Sequence, residues 1–349
     1  MAYEIDYLPV GEEEKSGDAI ALRYGNLTGR REEQVVIVID GGYKESGEQL
    51  VKHVNDFFDT KRIDLAISTH PDLDHASGLC VVLDKMEVGG LMMHRPWEHA
   101  ATIQSFFKDR RLTTSGLEEK IEKSLQQASD LESIALSKSV PIFEPFEGLT
   151  LGNVIHVLGP SLQYYQEMLA CFEQLPEIKR GLGILAPIQK VATEAVRWVE
   201  DKIGLDLLND DDDTTSPQNN TSTILLFTID GRKILFTGDA GRTALLNAIA
   251  YAERAGISLN DLEFLDVPHH GSKRNLNSKI LQKIKGQTAF VSAPKGSSKH
   301  PAKKVTNALQ KHGMSVYVTR GSNLLHHHQG NGRGWGNATK EPFHTYVEE

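Results

Sequence analysis

Three things are scarce in this chain of 349 residues. Cysteine appears twice, as Cys80 and Cys171, far apart in apolar or helical surroundings. A disulfide framework is therefore excluded, and buried free thiols in a reducing compartment are expected. Long apolar runs are missing: no stretch approaches the ~20 residues that a membrane helix needs. The opening "MAYEIDYLPV" has neither the basic nor the apolar region of a secretory signal, so a cytoplasmic location is expected. Basic surplus is missing too. The net charge of -9 argues against a surface coated for polyanions, although bound cations and a local basic rim could serve a phosphate substrate. No repeat of fixed period is seen.

Strand signals dominate both ends. "YEIDYLPV" and "AIALRY" alternate apolar and polar positions. "QVVIVIDGG" at 34–42 is a continuous β-branched run that suits a strand buried on both faces. A helix is expected at about 47–59, then the buried strand "IDLAIST". After residue 218 come "STILLFTI", a "DGR" turn, "KILFTGD", a helix ending at a glycine, then "LEFLDVP", "TAFVSAP" and "SVYVT". Residues 97–215 read differently. "LEEKIEKSLQQASDLESIALS" at 117–137, "YYQEMLACFEQL" and "IQKVATEAVRWVEDKIGLDLL" each suggest an amphipathic helix, with Trp198 covering the core. This segment, with one strand, "TLGNVIHVLGP", between its helices, is expected as a helical insertion or cap within a single 1–349 domain. "NDDDDTTSPQNN" reads as a solvated loop. The tail, with His326, His327 and His328, reads as irregular surface chain.

The chemistry concentrates in "STHPDLDHASGL" at 68–79. His70, Asp72, Asp74 and His75 fall in six positions, directly after a buried strand. In an extended loop, alternate residues share one side. So many imidazole and carboxylate groups repel or desolvate one another unless cations lie between them. Other strand ends carry matching groups: Asp239 in "FTGDAG", His269 and His270 in "VPHHGS", and His300 in "SSKHP". One metal cluster accounts for all of them.

In order, H-x-D-x-D-H, G-D, H-H-G-S and a late H-P resemble the metallo-β-lactamase superfamily, and most closely the metallo-hydrolase domain of DNA-internalisation competence proteins. The likeness covers roughly residues 3–93 and 218–320. It implies an α/β fold, an αβ/βα sandwich with two metal ions at one edge. It assigns His70 and Asp72 to one ion, Asp74 and His75 to the other, and Asp239 to both. His300 fits the fifth motif, and the "HHGS" pair adds a ligand, with His270 preferred over His269. Asp72 stands where most of the superfamily has histidine, which lets Mn²⁺ or Mg²⁺ compete better with Zn²⁺. No histidine clearly matches the usual third motif; His156 is a weak candidate and reads better as a sheet residue.

The expected activity is hydrolysis by a water activated between two divalent ions, Zn or Mn. Asp74 would orient or deprotonate that water. His300, or the member of the His269/His270 pair that holds no metal, would protonate the leaving oxygen. Ser272, Lys273 and Lys299, with Arg274, Lys295 and Ser298, would form a cationic rim for a phosphodiester, DNA and RNA included. Two other readings stay open: a hydrolase of a small ester, thioester or lactam, and a metal-stabilised module whose 97–215 insertion binds a protein partner or a second copy.

Overall fold

The structure is a computed structural model that describes residues 1–179, 198–202, 207–208 and 213–348. Two seven-stranded sheets face each other. The first runs, edge to edge, Leu324–His328, Ala2–Tyr7, Ala19–Gly25, Gln34–Gly41, Leu65–Ile67, Leu91–Met92 and Ile142–Phe143. The second runs Ser315–Val318, Gly286–Val291, Leu262–Asp266, Arg232–Phe236, Ile224–Ile229, Ile155–Gly159 and Thr150–Leu151. Each sheet joins an antiparallel half to a parallel half. This is the expected αβ/βα sandwich.

Side-chain alternation explains the layering. Tyr3, Ile5 and Tyr7 point between the sheets, with Ile37, Ile39, Phe227, Phe236, Phe264 and Phe290. Val36 and Val38 point the other way, against the helices Lys44–Phe58 and Leu73–Lys85. The β-branched run is therefore buried on both faces, as its composition predicts. The helices Arg242–Arg254, Ser278–Lys283 and Lys303–Lys311 cover the second sheet. Among the described residues no helix is long and apolar enough to cross a membrane.

Several expectations need correction. The stretch 117–137 is two helices, Thr114–Ser124 and Gln126–Ser137, broken at Leu125 (φ -121°, ψ 46°). The break lets Leu117, Ile121, Leu131 and Ala135 all reach the first outer core. The expected strand in "TLGNVIHVLGP" is Ile155–Gly159; it and Ile142–Phe143 belong to the two sheets, so the 97–215 segment is not wholly an insertion. Most of the helix expected at 188–208 lies outside the described residues. Within its described part, Trp198–Glu200 is a strand paired with Tyr346–Glu348. Val347 is buried under that ribbon, while Trp198 is exposed beneath Lys303 Nζ (4.8 Å) and covers no core.

The tail is more ordered than its composition suggests. His326–His328 belong to an edge strand, and the His326 ring packs against Tyr3, Phe264 and Phe290. Beyond it, buried Arg333 Nη2 donates to Glu4 Oε2 (2.6 Å) and Asp6 Oδ2 (2.7 Å), while Arg23 Nε meets the same Glu4 oxygen at 2.6 Å. Two arginines balance two carboxylates that the strand alternation points outward.

Parallel strands present their C-terminal ends at one edge, where functional groups gather in open α/β sheets. Strand Gln34–Gly41 carries Asp40 as its last residue but one, and strand Leu65–Ile67 runs into His70. Strand Arg232–Phe236 runs into Asp239, and strand Leu262–Asp266 into His269 and His270. One close approach fixes the geometry there. A Cβ on Gly78 would lie 1.9 Å from Gly41 O, so helix Leu73–Lys85 seats against the end of the strand only because both residues are glycine.

Candidate metal centre

Four imidazoles surround the Asp239 carboxylate. Oδ1 lies 3.5 Å from His75 Nε2 and 3.7 Å from His270 Nε2. Oδ2 lies 3.6 Å from His269 Nε2 and 4.0 Å from His70 Nε2. In each ring it is Nε2 that faces inward, and Nδ1 that is held from behind.

Those outer bonds fix the tautomers. His75 Nδ1 donates to Asp40 Oδ2 (2.8 Å) and His270 Nδ1 to the Ser292 carbonyl (3.0 Å), both of which can only accept. Thr69 Oγ1 spends its proton on Asp40 Oδ2 (2.6 Å), so it must accept from His70 Nδ1 (2.9 Å). Asn275 Nδ2 donates to the carbonyls of Asp239 (3.1 Å) and Ala240 (3.0 Å). Its Oδ1 is therefore the atom that accepts from His269 Nδ1 (3.1 Å). Each neutral ring thus offers a bare Nε2 lone pair to the centre.

Among the described residues, His70 Nε2, His75 Nε2, His270 Nε2 and Asp239 Oδ1 are buried polar atoms with no hydrogen-bond partner. Buried polar groups are seldom left so. Divalent cations are the partners that suit imidazole lone pairs and carboxylates together. The donor set fits a metal centre on that ground.

The electrostatics point the same way. Burial holds the His70 and His270 pKa values well below the usual imidazole range, and pushes His269 down to about 3. Burial pushes Asp239 well above the carboxylate range, and raises Asp72 to about 6 with help from the Asp74 charge. For His75, burial opposes protonation, yet Asp239 and Asp40 drive its pKa well up.

The H-x-D-x-D-H residues converge here in different ways. Asp72 occupies the N-cap position of helix Leu73–Lys85 but makes no side-chain capping bond, and its Oδ2 is 3.7 Å from His70 Nε2. Asp74 groups with His75 and His270. His300 stands further out: its ring stacks on His269 at 5.9 Å and lies 6.2 Å from His270, and no close donor group among the described residues includes it. Its Nδ1 is buried and without a partner. His156 sits on strand Ile155–Gly159 between Thr150 and Leu226, a sheet position as expected.

The rim residues behave unequally. Lys273 and Arg274 are exposed on the loop after Gly271. Ser272 is buried, and its Oγ accepts from Arg274 N (3.3 Å), so it shapes that loop. Lys299 Nζ lies 3.2 Å from Glu14 Oε2, and Ser298 Oγ donates to Glu14 Oε1 (2.6 Å). Of the acidic loop, Asp213 caps chain ends, accepting from Thr215 N and Thr243 N; residues 209–212 lie outside the described residues.

Sequence reasoning missed several members. Asn219 Nδ2 donates to Asp239 Oδ2 (3.0 Å). Asp18 lies behind two rings, 3.6 Å from His270 Nδ1 and 3.9 Å from His75 Nδ1. Asp40 also holds His75, and through Thr69 it supports His70. Both aspartates border buried strands in the sequence, the same signal that marks Asp239. Asn219 and Asn275 carry no comparable signal. His94 follows strand Leu91–Met92, lies against Tyr165 (4.3 Å) and has its Nε2 3.4 Å from Thr223 Oγ1; burial lowers its pKa to about 3.

A family model described as the metallo-beta-lactamase superfamily matches residues 30–294. Among solved structures, a Cronobacter sakazakii metallo-beta-lactamase with a HARLDQ motif is 13% identical, covering 72% of this chain and 71% of its own, at TM-score 0.32. Tm1679, described as a metal-dependent hydrolase of the beta-lactamase superfamily, is 11% identical over 92% and 98%, at TM-score 0.40. CmlA, a diiron beta-hydroxylase from Streptomyces venezuelae, is 13% identical over 83% of this chain and 44% of CmlA, at TM-score 0.37. No curated protein matches.

Proposed function

We propose, from the premise that the chain belongs to the metallo-β-lactamase superfamily, that it is a metal-dependent hydrolase acting on a phosphodiester. The observation that carries the hydrolytic reading is the inward convergence of unpartnered Nε2 atoms on Asp239. His70, Asp72 and Asp239 would hold one divalent ion; Asp74, His75, His270 and Asp239 would hold the other. Bound there, such ions acidify a water and neutralise charge on the attacked group. The carboxylates of Asp72 and Asp74 favour Mn²⁺ more than an all-imidazole set would, with Zn²⁺ the alternative.

The chain's own residues supply the proton steps. Asp74, half-buried at the first turn of its helix, accepts the proton of the attacking water. His269 cannot serve as the acid with Nδ1 engaged by Asn275, because its inward Nε2 carries no proton. That task falls to His300, at the outer edge of the cluster. Lys273 and Arg274, exposed beside the His270 loop, receive the anionic substrate. A nucleic acid is one such substrate.

The Glu14–Lys299 pair supports a second reading, a small ester, thioester or lactam, because it halves the cationic rim on one side. The test uses the full chain with Mn²⁺ or Zn²⁺ on bis(p-nitrophenyl) phosphate, p-nitrophenyl acetate and a chromogenic β-lactam. Diester turnover that disappears in Asp239→Asn and Asp74→Asn supports the first reading. Turnover of the ester or lactam with an inert diester transfers support to the second. Inertness on all three, with two ions bound, removes both.

A further inference from the structure

The Asp239 carboxylate divides the cradle in two. The Oδ1 half has His75 and His270, with Asp74 alongside. The Oδ2 half has His70 and Asp72 on the assignment above. Counting Asp239 in each, the first half offers four protein donors and the second three. Zinc takes four protein ligands in structural sites and three, with a water in the fourth position, in catalytic ones. The second half has one protein donor fewer than the first.

His269 stands beside that gap. Its Nε2 is 3.6 Å from Asp239 Oδ2, nearer than His70 Nε2 at 4.0 Å. Its tautomer is fixed twice over: Asn275 Oδ1 takes the Nδ1 proton, and Asn275 cannot turn without losing bonds to two backbone carbonyls. The lone pair therefore faces the centre and not solvent. An amide proton already sits between the two acceptors. Asn219 Nδ2 is 3.0 Å from Asp239 Oδ2 and 3.4 Å from His269 Nε2, so a partial positive charge occupies the place where a full one would be attracted.

The backbone is bent to bring this about. Successive residues of an extended chain point to opposite sides. Here His269 (φ 51°) and His270 (φ 54°) are both left-handed, followed by Gly271 at 76°. Strain of this kind persists where surrounding structure over-determines it, often at ligand sites. The turn holds the two ring centroids 5.8 Å apart and sets both Nε2 atoms within 3.7 Å of one carboxylate.

We infer that His269 is the fourth protein ligand of the His70–Asp72–Asp239 half, so that both histidines of "HHGS" bind metal, one to each half. Asn275 is then the group that orients it. This rests on the dinuclear reading proposed above, and the experiment separates the two.

The full chain is stripped with chelator and titrated with Co²⁺, bound ions are counted by elemental analysis, and the visible d–d bands are recorded. The variants are His269→Ala, His269→Gln, which keeps side-chain bulk should alanine disturb folding, and His300→Ala. Melting of each metal-free protein checks the fold. The expected result is two ions in the parent and in His300→Ala. In both His269 variants one ion remains tight, and the other weakens at least ~10-fold with its d–d band altered. Two ions with unchanged affinities and spectra in the His269 variants overturn the inference and leave the dinuclear reading intact. A parent that binds no metal, or a single ion that His269 does not affect, overturns both.

Discussion

Replacing Asp40 by asparagine changes one atom but reaches two of the inward-facing imidazoles. Asp40 Oδ1 accepts from Thr69 N (2.8 Å); Oδ2 accepts from His75 Nδ1 (2.8 Å) and Thr69 Oγ1 (2.6 Å). Thr69 Oγ1 in turn accepts from His70 Nδ1. An asparagine has two ways to sit. With its nitrogen at the Oδ1 position, it faces the Thr69 N–H and leaves a buried donor unpaired, at a cost of about 1–3 kcal/mol. With its nitrogen at the Oδ2 position, it donates outward, so His75 must accept at Nδ1 and carry its proton on Nε2. Thr69 then turns its hydroxyl toward His70, and that ring flips its tautomer as well. Either arrangement taxes metal binding; the second presents two N–H groups where ions would bind. Loss of one such orienting contact typically weakens metal affinity 10–100-fold, and with two rings affected a value near ~100-fold, about 2.7 kcal/mol, is expected. The backbone should not interfere: Asp40 has φ 53°, a region asparagine tolerates as well as aspartate. Competition of the stripped full chain with a chromophoric chelator for Zn²⁺ measures the affinity. An Asp40→Asn protein that melts like its parent when metal-free and binds within about threefold as tightly would refute the tautomer argument.

Four further outcomes are expected. Gly78→Ala places a Cβ 1.9 Å from Gly41 O, in backbone with no room to retreat; denaturant unfolding should show a loss of about 3 kcal/mol or more. Arg333→Met leaves Glu4 with Arg23 and Asp6 with the His53 imidazole, one cation short, costing about 3–5 kcal/mol at neutral pH. Burial alone would raise the Glu4 pKa, but Arg23 and Arg333 hold it below the ordinary value. The parent therefore loses this contribution as pH falls, and the variant's deficit should shrink in acid; a deficit independent of pH contradicts the pairing. Burial lowers the His326 pKa from 6.5 to about 4, so the unfolded chain takes up that proton first. Stability should fall between pH 6.5 and 4 by at most roughly 3 kcal/mol, and His326→Gln should lack that part of the slope. Glu14→Gln releases Lys299, and low-salt fluorescence anisotropy with a single-stranded oligonucleotide should show about twofold tighter binding that salt abolishes; no change would mean the clasp does not damp the rim.

The centre was readable to the extent that it is built on strand ends. "VVIVIDGG", "IDLAIST", "KILFTGD" and "LEFLDVP" are each apolar enough to betray a buried strand, and the polar residue that ends each run is thereby marked. The same rule picks out Asp40, and its mirror, the polar residue that opens a run, picks out Asp18; both lie behind the rings. Asn219 and Asn275 escape it because their roles depend on distance across the fold: Asn275 matters only because two carbonyls and one imidazole surround its amide. The fold shows the same limit. The ribbon of Trp198–Glu200 with Tyr346–Glu348 joins three-residue strands too short to carry a period, and the break at Leu125 has no glycine or proline to announce it.

The substrate is the hardest part to read for a related reason. "KGSSKH" looks cationic when read along the chain, and that charge is what favours a phosphate. In space Ser298 and Lys299 both meet Glu14, separated from Ser298 by 284 positions, so the Lys299 charge is already paired. Lys273 and Arg274 are exposed on the loop that follows His269 and His270. The phosphodiester reading therefore rests on the exposed Lys273 and Arg274 more than on Lys299, whose charge Glu14 offsets.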